Sequence, residues 1–194
     1  MKTFSQISPY QSTIRKAVHI SGVGLHSGDR IKMTLSPAGA NSGIRFVRKD
    51  LDTNNPVPAF MNRVVDTTMA TTISEGNASI ATTEHLLAAI NGLSIDNILI
   101  EVDGPEVPIM DGSSAPFVNL LLDAGIRQQK SYRRLVKITR EISFSDSDRH
   151  ISIYPYDGFK VTAEINFTHD TINRQVYSVA VTPRKFVAEI CRAR

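Results

Sequence analysis

Ile80-Ala81-Thr82-Thr83-Glu84-His85-Leu86-Leu87-Ala88-Ala89-Ile90-Asn91-Gly92 reads as a short helix with both ends marked. Leu86, Leu87, Ile90 and Leu93 recur at the 3.6-residue period of a single apolar stripe. Thr82 or Thr83 is placed to cap the N-terminus, because a threonine oxygen accepts from a free backbone N–H. Gly92 offers the left-handed turn that ends a helix. Glu84 and His85 then stand in the first turn, at the positive end of the helix dipole. That end favours a carboxylate and disfavours an imidazolium. An ionised carboxylate and a neutral imidazole are the forms that serve as base and as metal ligand. The pair alone does not define a metal site, which needs three or four converging ligands. An HExxH helix needs a second histidine, and the inverted H-x-x-E-H form needs one where Ala81 stands. First-turn glutamates and solvated histidines are also ordinary helix chemistry.

Outward from this helix, the flanking segments alternate strands and turns. Residues 14–21 and 30–35 alternate apolar and polar side chains and read as a hairpin. The glycine-rich connection Gly22-Val23-Gly24-Leu25-His26-Ser27-Gly28 lies between them. No helix follows it, so the phosphate-cradling readings of such glycines fail their context test. His26 at its tip is either an exposed turn residue or a substrate contact. Residues 43–48 form a strand candidate, followed by a loop over 50–58. Residues 63–73 are rich in β-branched side chains and suit short strands. On the other side, residues 95–102 form an apolar strand and 107–110 a short return strand. Asp111-Gly112-Ser113-Ser114 reads as a turn and cap before a second helix that Gly125 ends.

The pattern then restarts. Residues 127–134 are polar and basic and read as an interdomain linker. Strands follow over 135–144, 150–154, 159–167 and 175–181, then a helix opening at Thr182-Pro183. The expected domains are 1–126, an α+β unit carrying the Glu-His helix, and 135–194, the start of a second unit. A domain that stops in its first helix does not cover its sheet.

An apolar fraction of 41% and a charged fraction of 21% are those of a globular protein. The single Cys191 excludes an internal disulfide and fits a reducing compartment. No apolar run is long enough to span a membrane. Met1-Lys2-Thr3-Phe4-Ser5 lacks the apolar region of a signal peptide, so a cytoplasmic protein is expected. Residues 1–11 read as polar and loose. The formal charge of +3 gathers in two basic clusters, Arg127 to Lys137 and Arg184 to Arg194. These are either solvated faces or a surface for an anionic partner. No RNA-binding signature with interleaved aromatics is present, so no nucleic-acid partner is expected.

The glycine loop at 22–28, Asp66-Thr67-Thr68-Met69, Thr83-Glu84-His85-Leu86, Gly92-Leu93-Ser94-Ile95-Asp96-Asn97 and Pro108-Ile109-Met110-Asp111-Gly112-Ser113 occur in this order. Together they resemble the zinc-dependent UDP-3-O-acyl-N-acetylglucosamine deacetylases of lipid A biosynthesis, over nearly the whole chain. The resemblance implies an α+β fold of two related domains, each a small, mainly antiparallel sheet packed on helices. Here the second would be incomplete. It implies hydrolysis of the N-acetyl group of a UDP-linked acylated glucosamine, giving acetate and a free amine. Zn2+ is the implied cofactor. Transient contact with the inner membrane surface is a further expectation.

Residue by residue, the resemblance makes Glu84 the general base toward zinc-bound water and His85 the first zinc ligand. It places His26 and Phe167 near the uridine diphosphate end of the substrate, and Met69 at the rim of the site. A turn histidine, a strand-end aromatic and a packing methionine are the local alternatives. Asp111 reads as a capping residue. The family's other two zinc ligands, in a late H-K-x-x-D helix, have no counterpart. Nor do its general-acid histidine, its acyl-chain passage or its oxyanion-supporting threonine. The competing reading is therefore a non-catalytic fragment or binding domain of the same family.

Overall fold

The computed structural model describes residues 8–52, 55–169 and 171–193. The loose stretch expected over 1–11 lies mostly outside the described residues, as do two positions of the expected 50–58 loop. The architecture is α+β: several small sheets, mainly antiparallel, with few and short helices. The largest sheet has five strands in the order β2 (Val18–Val23), β3 (Arg30–Pro37), β9 (Ile98–Val102), β4 (Ile44–Arg48) and β5 (Val57–Pro58). All its pairings are antiparallel except β4 with β9, where Phe46 lies beside Ile100.

Its alternation comes directly from the sequence. Ile31, Met33 and Leu35 of β3 turn inward while Arg30 and Lys32 face water, as a period of two requires. Ile98, Ile100 and Val102 of β9 do the same. These faces share one core with Leu86, Ala89 and Ile90 of α1 (Glu84–Gly92) and Phe117, Val118 and Leu121 of α2 (Ala115–Ala124). Each of these side chains larger than alanine stabilises the fold by roughly 1.5–3 kcal/mol when fully buried. A three-stranded meander, β6 (Val64–Asp66), β7 (Thr72–Glu75) and β8 (Ala78–Ile80), leads into α1.

The hairpin read from residues 14–35 is β2–β3. Residues 107–110 form no strand; an isolated bridge between Ala81 and Glu106 and the Thr82 hydroxyl tie that region to the chain before α1. Residues 127–134, expected as a linker, are mostly strand. β10 (Ile126–Tyr132) pairs antiparallel with β1 (Tyr10–Ile14), and the Tyr10 and Tyr132 rings stack at 4.8 Å. Arg133 extends this order. It donates to Asp96 Oδ2 at 2.8 Å and to the Ser94 carbonyl at 2.5 Å. A polar, basic composition looks like a linker, but its side chains here satisfy buried polar groups: the Asn97 Nδ2 amide donates to Gln129 at 2.7 Å.

Two separate hairpins follow, β11 (Ile142–Asp146) with β12 (Arg149–Ile153) and β13 (Lys160–Asn166) with β14 (Arg174–Ala180). Both expose apolar side chains, including Phe144, Ile151, Val161, Ile165 and Val176. The final helix is a single α-turn, α3 (Pro183–Lys185), that widens into a π-turn over Phe186–Ile190. Thr182 caps it by accepting from the Lys185 N–H. Phe186 is buried in the main core, against Gly92.

Candidate functional site

The start of α1 carries the two residues on which the chemistry was expected. Glu84 is the first residue of the helix and His85 the second, and both are half-buried. Neither Thr82 nor Thr83 caps the helix through its side chain as expected. The N-cap is Thr83, whose hydroxyl instead donates to the Thr71 carbonyl at 2.9 Å. Its N–H donates to the same carbonyl. Glu84 Oε2 accepts from the Thr71 N–H at 2.9 Å. Thr71 is thus held on both sides of its backbone, and the segment behind it is pinned to the helix start. Met69 lies in that segment, two residues from Thr71, and is 78% exposed. Nearby, the Thr68 N–H and then its hydroxyl hold the Asp66 carboxyl below its ordinary pKa.

Thr82, one residue before the cap, has φ of 56°. Positive φ is a genuine outlier for a β-branched residue. Its hydroxyl donates to Glu106 Oε1 at 2.8 Å. Glu106 is 2% exposed and collects the turn that carries His26. Its oxygens accept from the His26 N–H at 3.1 and 3.2 Å, the Ser27 N–H at 3.1 Å and the Ser27 hydroxyl at 3.0 Å. Burial alone would raise its pKa. The Ser27 N–H, the Thr82 hydroxyl, the His26 N–H and the Ser27 hydroxyl outweigh that and hold it below its ordinary value.

The glycines of this turn are a matter of close approach. A Cβ on Gly24 would stand 2.5 Å from Glu106 Oε2, and one on Gly22 would stand 2.9 Å from Met110 Sδ. The Ile109 N–H donates to the Val23 carbonyl. The 22–28 turn, the residues leading into α1 and the segment from Glu106 to Met110 therefore meet. Asp111 follows the third. Its Oδ1 accepts from the Ser113 N–H and hydroxyl, closing a turn before α2 rather than capping the helix, whose N-cap is Ser114.

Glu84 and Met69 are joined through Thr71, and His26 reaches the helix start through Glu106 and Thr82. Phe167 stands apart, 55% exposed after β13, with no hydrogen-bonded link to this group among the described residues. Glu106 and Thr71 were not singled out in the sequence, and Thr82 only as a candidate helix cap. Glu106 sits between Pro105 and Val107, and an acidic side chain flanked by apolar residues is the one hint of burial there. Among the described residues, no three or more His, Cys, Asp or Glu side chains gather as metal ligands would. His85 and Glu84 have the right donor types but do not make up a zinc site by themselves.

A family model described as UDP-3-O-acyl N-acetylglycosamine deacetylase matches residues 11–194. Among similar proteins is one named UDP-3-O-acyl-N-acetylglucosamine deacetylase from Anaeromyxobacter sp. (strain Fw109-5). It is 47% identical over 184 residues, covering 95% of this chain and 60% of the relative. Proteins of the same name from Actinobacillus succinogenes and Myxococcus xanthus are 43% and 44% identical, each over 95% of this chain and 61% and 59% of their own lengths. The chain spans about three fifths of the length of the curated relatives it matches.

Proposed function

Because the chain belongs to the UDP-3-O-acyl N-acetylglycosamine deacetylase family, we propose that it serves the deacetylation of UDP-3-O-acyl-N-acetylglucosamine in lipid A biosynthesis, in the cytoplasm. Water adds to the acetyl carbonyl carbon, the C–N bond breaks, and acetate and the free amine leave. The observation that carries this reading is the fixed carboxylate at the start of α1. Glu84 Oε2 is occupied by the Thr71 N–H, which leaves Oε1 to take the proton of the attacking water. A positioned carboxylate of this kind contributes about 10²- to 10⁴-fold to rate.

Zinc is the proposed cofactor and His85 its ligand from this chain. When bound, the metal would lower the pKa of water and polarise the carbonyl. The described residues do not complete that centre, so the proton step at Glu84 is the part this chain's geometry supports. His26, on the turn held by Glu106, is proposed to meet the uridine diphosphate end. Met69 is proposed to line the rim, and Phe167 to meet the nucleotide from the second half of the chain. No helix among the described residues is long and apolar enough to cross a membrane. Transient contact with the inner membrane surface is part of the same proposal.

Acetate release from UDP-3-O-acyl-N-acetylglucosamine tests the reading in a protein of the relatives' full length carrying this sequence. Glu84→Gln should retain zinc and lose about 10²- to 10⁴-fold in turnover, since the amide cannot accept the proton. A variant within about threefold of the parent rate removes Glu84 from the base role.

A further inference from the structure

The buried carboxylate of Glu106 joins two parts of the site that are far apart in sequence. Its acceptors hold the His26–Ser27 turn through two N–H groups and one hydroxyl. The same carboxylate holds Thr82, two residues before Glu84, through the threonine hydroxyl. Thr82 is at φ 56°, a conformation that a β-branched residue keeps only where its surroundings over-determine it. Gly24 has no side chain where any Cβ would strike the carboxylate. We propose that Glu106 is a positioning residue that fixes the His26 turn and the Glu84–His85 helix start in one geometry. The nucleotide end and the hydrolytic end of the site are thereby set relative to each other.

The assignment of those two ends rests on the deacetylase reading; the mechanical coupling does not. A carboxylate that accepts from both sides transmits a change on one side to the other, because residues in one hydrogen-bond network do not respond additively. An apolar residue in its place would leave buried N–H groups unpaired. A glutamine keeps one carbonyl oxygen for the turn and can point its NH2 at the Thr82 hydroxyl, which then accepts, so it is a neutral stand-in that preserves the links; a methionine of similar length keeps neither.

The test uses the 194-residue chain, with amide hydrogen exchange at His26 and Thr71 and the Kd for UDP as readouts. Thr82→Val removes the hydroxyl and keeps the branched shape. It should speed exchange at the His26 N–H by about 3- to 10-fold, although residue 82 does not touch that group. Ser27→Ala should likewise speed exchange at the Thr71 N–H, which Glu84 holds. Thr82→Ser keeps the donor and should restore the parent rate at His26. In a Glu106→Met background, which removes both acceptor oxygens, both cross effects should vanish. Cross effects absent from the parent, or equal in the two backgrounds, overturn the proposal. If Glu106→Met does not fold, the Thr82→Val/Ser27→Ala double variant decides: additive effects on the His26 amide overturn it, and non-additive effects uphold it. UDP should bind the Thr82→Val variant several-fold more weakly than the parent. Coupled amides in a parent that does not bind UDP uphold the brace and remove the nucleotide assignment instead.

Discussion

Glu106 and Glu84 are both carboxylates near the start of α1, yet their surroundings differ. Glu106 is surrounded by donors and buried, which suits an acceptor that never changes state. Glu84 accepts the Thr71 N–H on one oxygen and stays half-buried, which suits the proton exchange proposed for it. Because Glu106 is held below its ordinary value, the unfolded chain binds its proton more readily than the folded chain does. Its contribution to stability is therefore complete above the ordinary carboxylate value of 4.5 and is lost as pH falls through the lower folded value. Thermal midpoints of the parent and Glu106→Gln should differ at pH 6 and converge as the pH is taken well below 4.5. A gap that persists unchanged at pH 3 would mean that the charge is not what holds the turn. Asp50, lowered chiefly by its bond to the Arg48 guanidinium, adds to the same acid sensitivity.

At the scale of elements, α1 shows what could and could not be read from the chain. Its apolar stripe was legible: Leu86, Ile90 and Leu93 are buried, while Leu87 is only half-buried and Ala89 takes its place on the buried face. Its ends were not. The threonines before it point their hydroxyls to partners more than ten residues away, which no local rule anticipates. Gly92 looked like a left-handed stop, but the positive φ falls at Ser94 and Gly92 is helical. Its lack of a side chain makes room for the Phe186 ring. Gly92→Ala should then cost roughly 1–3 kcal/mol by overpacking, measured by denaturant titration. In a Phe186→Ala background the same change should be neutral or stabilise by up to about 1 kcal/mol, since alanine is the better helix former. Equal costs in both backgrounds would locate the strain elsewhere. Strands with alternating side chains, β3 and β9 above all, were readable; β10 was not, because its polar residues owe their order to partners on β1 and at Asn97.

Across the whole molecule, order is unevenly distributed. Residues 10–133 share one core and a dense set of buried polar bonds, whereas β11 to β14 are thin hairpins with apolar faces open to water. Limited trypsin digestion should cut first at Arg134, Lys137 and Arg140, in the exposed, irregular stretch after Arg133, and spare Arg127 and Lys130 within β10. First cleavage at Arg127 would show that the β1–β10 pairing is weaker than its geometry. With one histidine at the candidate centre, the purified chain should carry far less than one zinc by elemental analysis. Stoichiometric zinc lost on His85→Ala would reveal a further ligand set. The pairing of β1 with β10 also imposes a wait during synthesis. At about 5–20 residues per second, β1 is made roughly 6–24 s before its partner strand is complete. For that interval Tyr10-Gln11-Ser12-Thr13-Ile14 has no ladder to join. Its three central residues are polar, so the waiting strand stays wetted and offers little to stray neighbours, where a strand like Ile98–Val102 would stick.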